Sequence, residues 1–177
     1  VHEEKQYYHA DPSDSEAEDV EFDSVEAYEA FLAQHGLLNT DAPRVIVTGQ
    51  MGEAAELVAG LEQSGNVVYP LRNMQTAVQS GAVDSIRPSA VINMAHGRLG
   101  DVVVEYLERQ NIPLFSPLNV NRLVDEWEAD KMGMNGGFLS QSVVMPEIDG
   151  AIRPQVLFGH HIDGEGLQQV HAIPERL

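Results

Sequence analysis

Residues 44–71 read RVIVTGQMGEAAELVAGLEQSGNVVYPL, and this stretch decides the fold. Val45–Val47 is a short apolar run bounded by proline and glycine, which is typical of a buried strand. In residues 53–63 the apolar positions recur every three to four residues, which predicts a helix. Asn66–Leu71 is a second apolar run. The order strand, helix, strand predicts a parallel βαβ unit with a right-handed crossover.

The alternation continues beyond this unit. The patterns predict a helix over Met74–Val83, a strand over Ala90–Met94, a helix over Asp101–Gln110 and a strand over Pro113–Phe115. We therefore predict an α/β fold for residues 43–117: a flavodoxin-like, doubly wound parallel sheet of about four strands, with helices on both faces. Ligands of such sheets bind at the carboxyl ends of the strands. Here those ends carry Thr48–Gln50, Asn93–Gly97 and Ser116–Pro117.

The segments on either side of this domain do not continue the alternation. Residues 1–42 are acidic, and we interpret them as an irregular solvated segment followed by one helix, which Ser24 caps and Gly36 ends. Residues 118–177 contain a predicted acidic helix, Asn121–Asp130, and a strand near Val156. We expect this second segment to belong to a larger domain, and both ends of the chain to be cuts in a longer protein.

The composition excludes several classes of partner. Lys and Arg number 10 against 28 Asp and Glu, a formal net charge of −18. Nucleic acids and anionic membranes require clustered basic residues, so we expect neither as a partner. The chain has no cysteine, which excludes disulfides and thiolate metal sites and is compatible with a cytoplasmic location. No apolar stretch is long enough to predict a transmembrane segment.

A glycine-rich turn follows the first predicted strand. Gly49-Gln50-Met51-Gly52 opens a helix, and a helix amino terminus favours anions. The segment lacks both the dinucleotide-binding fingerprint and the lysine of a phosphate loop. We interpret it as a tight turn, and a stand-alone nucleotide-binding enzyme is disfavoured.

Three histidines are candidate metal or ring ligands. His96 follows the third predicted strand, where its imidazole could bind a metal, carry a proton or simply bond to the backbone. His160 and His161 lie next to the strand near Val156. Adjacent residues of an extended segment point to opposite sides, so only one of this pair can face a given cleft.

The segment Pro146–Gly150, PEIDG, is the most informative one. Asp149-Gly150 predicts a turn, and Pro146 fixes the chain just ahead of Glu147. A carboxylate held between Pro146 and Ile148, in apolar surroundings, could act as a general base or pass on a cation. From the residues alone an ordinary hairpin turn is the better interpretation, because Asp-Gly is common in hairpins.

A family resemblance changes that weighting. Residues 143–152, VVMPEIDGAI, resemble the V-x-x-P-E-[IL]-D-G-x-I signature of the CobN and magnesium-chelatase H-subunit family. Asp125–Glu128 with Gly133-Met134 resembles its E-x-W…G-[LM] stretch. Tyr8–Pro12 resembles its Y-H-P segment, with Ala10 in place of the usual proline. The resemblance covers essentially all of the chain.

The resemblance implies a fragment of a very large subunit that binds a tetrapyrrole, either a corrin or a porphyrin. A partner AAA+ ATPase hydrolyses ATP to drive insertion of a divalent metal (Co, Mg or Fe). The signature glutamate is placed at the chelation site, so Glu147 inherits the catalytic role, with His96, His160 and His161 as candidate ligands. We expect a ligase that forms nitrogen–metal bonds, such as a CobN-like cobaltochelatase of cobalamin biosynthesis. The isolated fragment is expected to be inactive.

Two alternatives stay open. The pair His160-His161 after the signature is compatible with a branch linked to haem uptake, which would remove iron from haem. A flavodoxin-like sheet can also serve as a non-catalytic ligand-binding module.

Overall fold

The computed structural model of the chain describes residues 5–14, 16–49, 54–95, 97–132, 134, 136–152 and 155–176. Its central sheet contains the four predicted strands: β3 (Arg44–Thr48), β4 (Val67–Leu71), β5 (Ala90–Asn93) and β6 (Leu114–Phe115). They are mutually parallel and lie in the order β4-β3-β5-β6. The predicted doubly wound parallel sheet is confirmed.

Two further strands extend this sheet at the β4 edge. β1 (Tyr7–His9) and β2 (Val20–Phe22) form an antiparallel pair, and Tyr7 pairs with Leu71 of β4. The sequence patterns predicted irregular structure here. Each strand has three residues, which is too short for a period-two pattern to be recognised, and all three side chains of β1 are buried.

The helices follow the predicted positions with one break. Helix α1 (Val25–Gln34) begins where the Ser24 hydroxyl accepts a hydrogen bond from Ala27 N at 3.2 Å, as predicted. Helices α2 (Ala54–Gln63) and α5 (Asp101–Gln110) are also present. The single helix predicted over residues 74–83 is instead two helices, α3 (Met74–Gln79) and α4 (Ala82–Ile86). Gly81 separates them because its φ of +78° is left-handed.

The central sheet separates two hydrophobic layers. Side chains alternate along each strand, so Ile46 faces one layer and its neighbour Val47 faces the other. The first layer is covered by α1, α3, α4 and α5. At its centre the fully buried Tyr28 donates its hydroxyl hydrogen bond to the Val68 carbonyl at 2.8 Å. The second layer is covered by α2 together with side chains from the carboxyl-terminal part of the chain.

The carboxyl-terminal part forms a second, three-stranded sheet. β7 (Leu118–Leu123) runs parallel to β8 (Val156–Ile162), which pairs antiparallel with β9 (Gln168–Ala172). The predicted helix over residues 121–130 is shorter than expected, because residues 121–123 belong to β7 and helix α6 is Val124–Ala129. A 3-10 turn, Pro174–Arg176, follows β9.

A continuous helical run connects α6 to β8. It consists of α7 (Gly136–Leu139), a π-helical turn (Ser140–Val144) and α8 (Met145–Ile148). No helix among the described residues is long and apolar enough to cross a membrane.

Candidate functional site

Glu147 lies on the short helix α8, and the structure corrects its predicted surroundings. The sequence predicted a turn that holds this carboxylate between Pro146 and Ile148. In the structure Pro146 is buried, whereas Glu147 is exposed and Ile148 is 63% exposed. The apolar neighbours of Glu147 are therefore themselves at the surface, and they include Val144 and Met145. Glu147 is free to meet a molecule that approaches from outside.

The π-helical turn before α8 has a cause in the sequence. Pro146 has no N–H and cannot donate the usual helical hydrogen bond to the carbonyl four residues back. Directly before it, Met145 N donates to Ser140 O, a bond that spans five residues. The turn takes up the irregularity that proline imposes, so the chain enters α8 without leaving the helix. Such π-turns occur frequently at functional sites.

The second carboxylate of the motif, Asp149, is buried. Its side chain is 1% exposed. Oδ1 accepts a hydrogen bond from Arg98 Nε at 2.5 Å, and Oδ2 accepts one from the Leu99 backbone N–H at 3.1 Å. Arg98 and Leu99 belong to the loop between β5 and α5, which leaves the carboxyl end of β5. Asp149 thus ties the motif to the edge of the sheet where ligands of α/β folds bind.

A second anchor follows immediately. Gly150 has a φ of +78° and donates to Glu147 O at 3.0 Å, which ends α8. Ile152 N then donates to Leu114 O at 2.9 Å, and Ile152 forms a parallel bridge with Phe115 of β6. The motif is therefore fixed on both sides of its turn, once to the β5–α5 loop and once to β6.

The carboxyl ends of β3 and β5 approach each other closely. Gly49 has a φ of +106°, and a side chain there would meet Ala95 N and Asn93 Oδ1. Asn93 is buried, and its Oδ1 accepts a hydrogen bond from Ala95 N at 3.0 Å. Gly49 therefore permits the close approach of β3 and β5, whereas the rest of the tight turn predicted over Gly49–Gly52 is not described. Residues 50–53 and His96 lie outside the described residues, so the prediction for His96 stays a prediction.

His160 and His161 lie on β8, where they pair with Val170 and Gln169 of β9. Both are partly buried, and their alternation along the strand agrees with the sequence prediction. The ring of His161 lies 6.2 Å from that of His171, whose Nδ1 is 3.0 Å from Glu56 Oε1 on α2. His161 is therefore connected through His171 to α2. The Glu147 motif is connected to a different element, the start of α5, through Asp149.

Metal ligands do not converge in the part of the chain that the structure describes. No three His, Asp or Glu side chains among those residues lie close enough to hold a metal ion. His171 is hydrogen-bonded to Glu56, and His161 contacts His171 ring to ring, which is not the arrangement of a set of metal ligands.

A buried ion pair lies in the amino-terminal motif. The side chain of His9 is 7% exposed, and its Nε2 is 2.8 Å from Glu62 Oε1 on α2. Its Nδ1 is 2.6 Å from the Ala10 carbonyl oxygen. Sequence reasoning noted this segment only for its resemblance. The partner of His9 was not predictable, because Glu62 is distant in the chain and helical periodicity does not identify it.

The family assignment rests on the whole length of the chain. The CobN/Magnesium Chelatase family model matches residues 2–177. The chain belongs to the CobN/magnesium chelatase family. Both the recognition from the PEIDG segment and the predicted fold agree with this result.

A solved structure has a similar fold. It is the catalytic subunit of cobaltochelatase from Mycobacterium tuberculosis, with a TM-score of 0.59 and 22% identity over 76% of this chain. At this identity the likeness concerns the fold alone. The chain covers 14% of that subunit, so it spans a small part of its length. A comparison with curated proteins gave no match.

Proposed function

We propose that this chain is part of the large tetrapyrrole-binding subunit of an ATP-dependent metal chelatase, and that Glu147 is its catalytic general base. The observation that supports this proposal is the fixing of PEIDG by Asp149 to the β5–α5 loop, with the Glu147 carboxylate left exposed. The family assignment supplies the class of reaction. We expect the subunit to work in the cytoplasm with AAA+ ATPase partners that hydrolyse ATP.

The reaction needs a proton acceptor next to the ring. Insertion of a divalent cation into a porphyrin breaks two pyrrole N–H bonds, forms nitrogen–metal bonds and releases two protons, and insertion into a corrin likewise displaces the proton of its ring N–H. A carboxylate at the ring can accept these protons one after the other and pass them to water. Glu147 is suited to this role because it is exposed while both flanks of its turn are fixed.

Cobalt insertion into a corrin is the activity that we favour, since the similar solved structure is a cobaltochelatase subunit. Removal of iron from haem is the same exchange in reverse, and Glu147 would then deliver protons to the ring nitrogens. Incubating the full-length subunit and its partner with haem, protoporphyrin or a corrin, and following the absorption spectrum, distinguishes the two directions.

Replacement of Glu147 by glutamine tests the proposal. The amide keeps the size of the side chain but cannot accept a proton. In the full-length subunit with its ATPase partner, Glu147→Gln should lower metal-insertion turnover by roughly 10²-fold or more, the usual effect of removing an acid–base group. Ring affinity, measured by absorbance titration, should stay as in the wild type.

The acidic amino-terminal segment provides the control. Asp14, Glu16, Glu18 and Asp19 are exposed carboxylates outside the motif. Replacing these four by their amides should leave turnover near the wild-type rate. If the quadruple variant is inactive while Glu147→Gln turns over normally, Glu147 is not the base. If the wild-type protein binds a ring but exchanges no metal in either direction, the chain belongs to a binding module instead.

A further inference from the structure

The buried carboxylate of the motif, Asp149, makes more hydrogen bonds than an Asp-Gly turn requires. An Asp-Gly turn needs only local backbone hydrogen bonds, and here Asp149 N and Gly150 N make them with Pro146 O and Glu147 O. The side chain of Asp149 instead leaves the turn and bonds to two donors of a different element, Arg98 and Leu99. Each of its two oxygens therefore has a partner.

Arg98 is itself held in place. Its Nε bonds to Asp149, and its Nη2 lies 2.9 Å from Asp101 Oδ1, the first residue of α5. The guanidinium thus connects the start of α5 with the end of α8. Its planar arrangement of donors fixes direction as well as distance, which a lysine in the same position could not do.

We propose that Arg98 and Asp149 are positioning residues that hold Glu147 at the reaction centre. Asp149 follows Glu147 by two residues, and α8 has only one turn, so a shift of Asp149 moves the Glu147 backbone with it. A displacement of about 1 Å at a catalytic group can cost about 10²-fold in rate. This inference rests on the proposed role of Glu147, and it assigns to Arg98 and Asp149 a function without contact to the ring or the metal.

The variants are designed to loosen the connection with little change in volume. In Asp149→Asn one acceptor oxygen becomes an N–H₂ group, which then faces the N–H of Arg98 or of Leu99, so that one donor loses its acceptor. Arg98→Gln removes the charge and the paired donors. Arg98→Lys keeps the charge but loses the planar geometry. Arg176→Gln is a matched control. Arg176 also forms an ion pair, with Glu128 at a distance of 3.1 Å, but this pair lies outside the motif.

The experiment uses the full-length subunit with its ATPase partner. Asp149→Asn and Arg98→Gln should each lower kcat by roughly 10- to 100-fold, with KM for the ring and ring affinity near wild type. Arg98→Lys should fall between Arg98→Gln and the wild type. Arg176→Gln should match the wild type. Unchanged ring affinity shows in the same samples that the variants are folded.

A double variant separates positioning from general stability. If Asp149 acts through Glu147, adding Asp149→Asn to Glu147→Gln causes no further loss of kcat. A purely structural role predicts the same fold-loss in both backgrounds, together with weaker ring binding, and this result would overturn the inference. So would wild-type kcat in both Arg98→Gln and Asp149→Asn while Glu147→Gln is inactive. Wild-type activity of Glu147→Gln itself contradicts the proposed function instead.

Discussion

His9 shows how its neighbours determine the charge of a single side chain. Both of its ring nitrogens face oxygen acceptors, Glu62 Oε1 at 2.8 Å and the Ala10 carbonyl at 2.6 Å. A neutral imidazole has one N–H and can serve only one of them, whereas the imidazolium donates to both. Burial by itself lowers the pKa of His9, but the hydrogen bonds and the charge of Glu62 outweigh burial and raise the pKa above its usual value.

The raised pKa of His9 predicts a pH dependence of stability. Since its pKa is higher in the folded than in the unfolded chain, the protonated ring stabilises the fold fully below about pH 6.5, the unfolded value. This contribution is lost as the pH rises through the folded pKa. Glu62→Gln should therefore lower the free energy of unfolding by about 1–3 kcal/mol at pH 6 and by less at pH 9.

Urea denaturation at the two pH values measures this difference. Glu105→Gln, a change of an exposed carboxylate on α5, should have little effect at either pH. An effect of Glu62→Gln that is equal at pH 6 and pH 9 would mean that the charge of His9 is not involved.

Asp149 shows why part of the site was not predictable from the sequence. The sequence motif singled out Glu147 and predicted a turn at Asp149-Gly150, and the structure confirms the turn. The partner of Asp149 is 51 residues earlier in the chain. Local patterns record neither that pairing nor which of the two carboxylates is buried, because both depend on how α8 packs against the β5–α5 loop.

The contact between β3 and β5 depends on a residue without a side chain. A methyl group on Gly49 would lie 2.3 Å from the backbone nitrogen of Ala95, which cannot move without shifting the end of β5. Gly65, in the turn between α2 and β4, also has a positive φ, but a methyl group there would meet nothing within 4 Å. The two glycines share the backbone strain and differ in the steric clash.

Substituting alanine at each glycine separates these two effects. Gly65→Ala should cost about 1–2 kcal/mol of unfolding free energy, the penalty of a left-handed conformation for alanine. Gly49→Ala should cost about 1–3 kcal/mol more, since it adds overpacking between β3 and β5. Thermal and urea denaturation measure both. Equal losses in the two variants would show that β5 can yield to the added methyl group.

The predictability of the elements follows their length and burial. β3 and β4 are apolar runs buried on both faces, so composition alone identifies them. β1 and β2 have three residues each; β2 pairs with β1, and β1 pairs with the distant β4. Local sequence patterns cannot predict such long-range pairing. The helical run before Glu147 was missed because Gly136, Gly137 and Pro146 all disfavour helix in isolation. Packing of the run around Leu118 and Val156 overrides those preferences.

The two sheets share one hydrophobic core. Phe158 of β8 is fully buried and belongs to the same cluster as Val47 of β3 and Leu57 and Val58 of α2. Glu56 of α2 adds polar contacts between α2 and β9. Its Oε1 is hydrogen-bonded to His171, and its Oε2 accepts a hydrogen bond from Ala172 N at 2.5 Å. The carboxyl-terminal sheet therefore covers the face of the central sheet that α2 alone leaves incomplete.

This shared core predicts that the two sheets unfold together. Phe158→Ala leaves a cavity between β8 and α2 and should lower the free energy of unfolding by about 3–5 kcal/mol. Trp127, the only tryptophan, packs with the cluster around Leu118 and Val156 and reports on the second sheet by fluorescence. Far-UV circular dichroism reports mainly on the helices that pack against the central sheet.

In urea both signals should change in one transition, and Phe158→Ala should shift both by the same amount. Ile162→Ala, at a position of the same strand that is 58% exposed, should change neither by more than about 0.5 kcal/mol. A shift of the tryptophan transition alone would show that the second sheet unfolds independently, and the contact through Phe158 would then not couple the two.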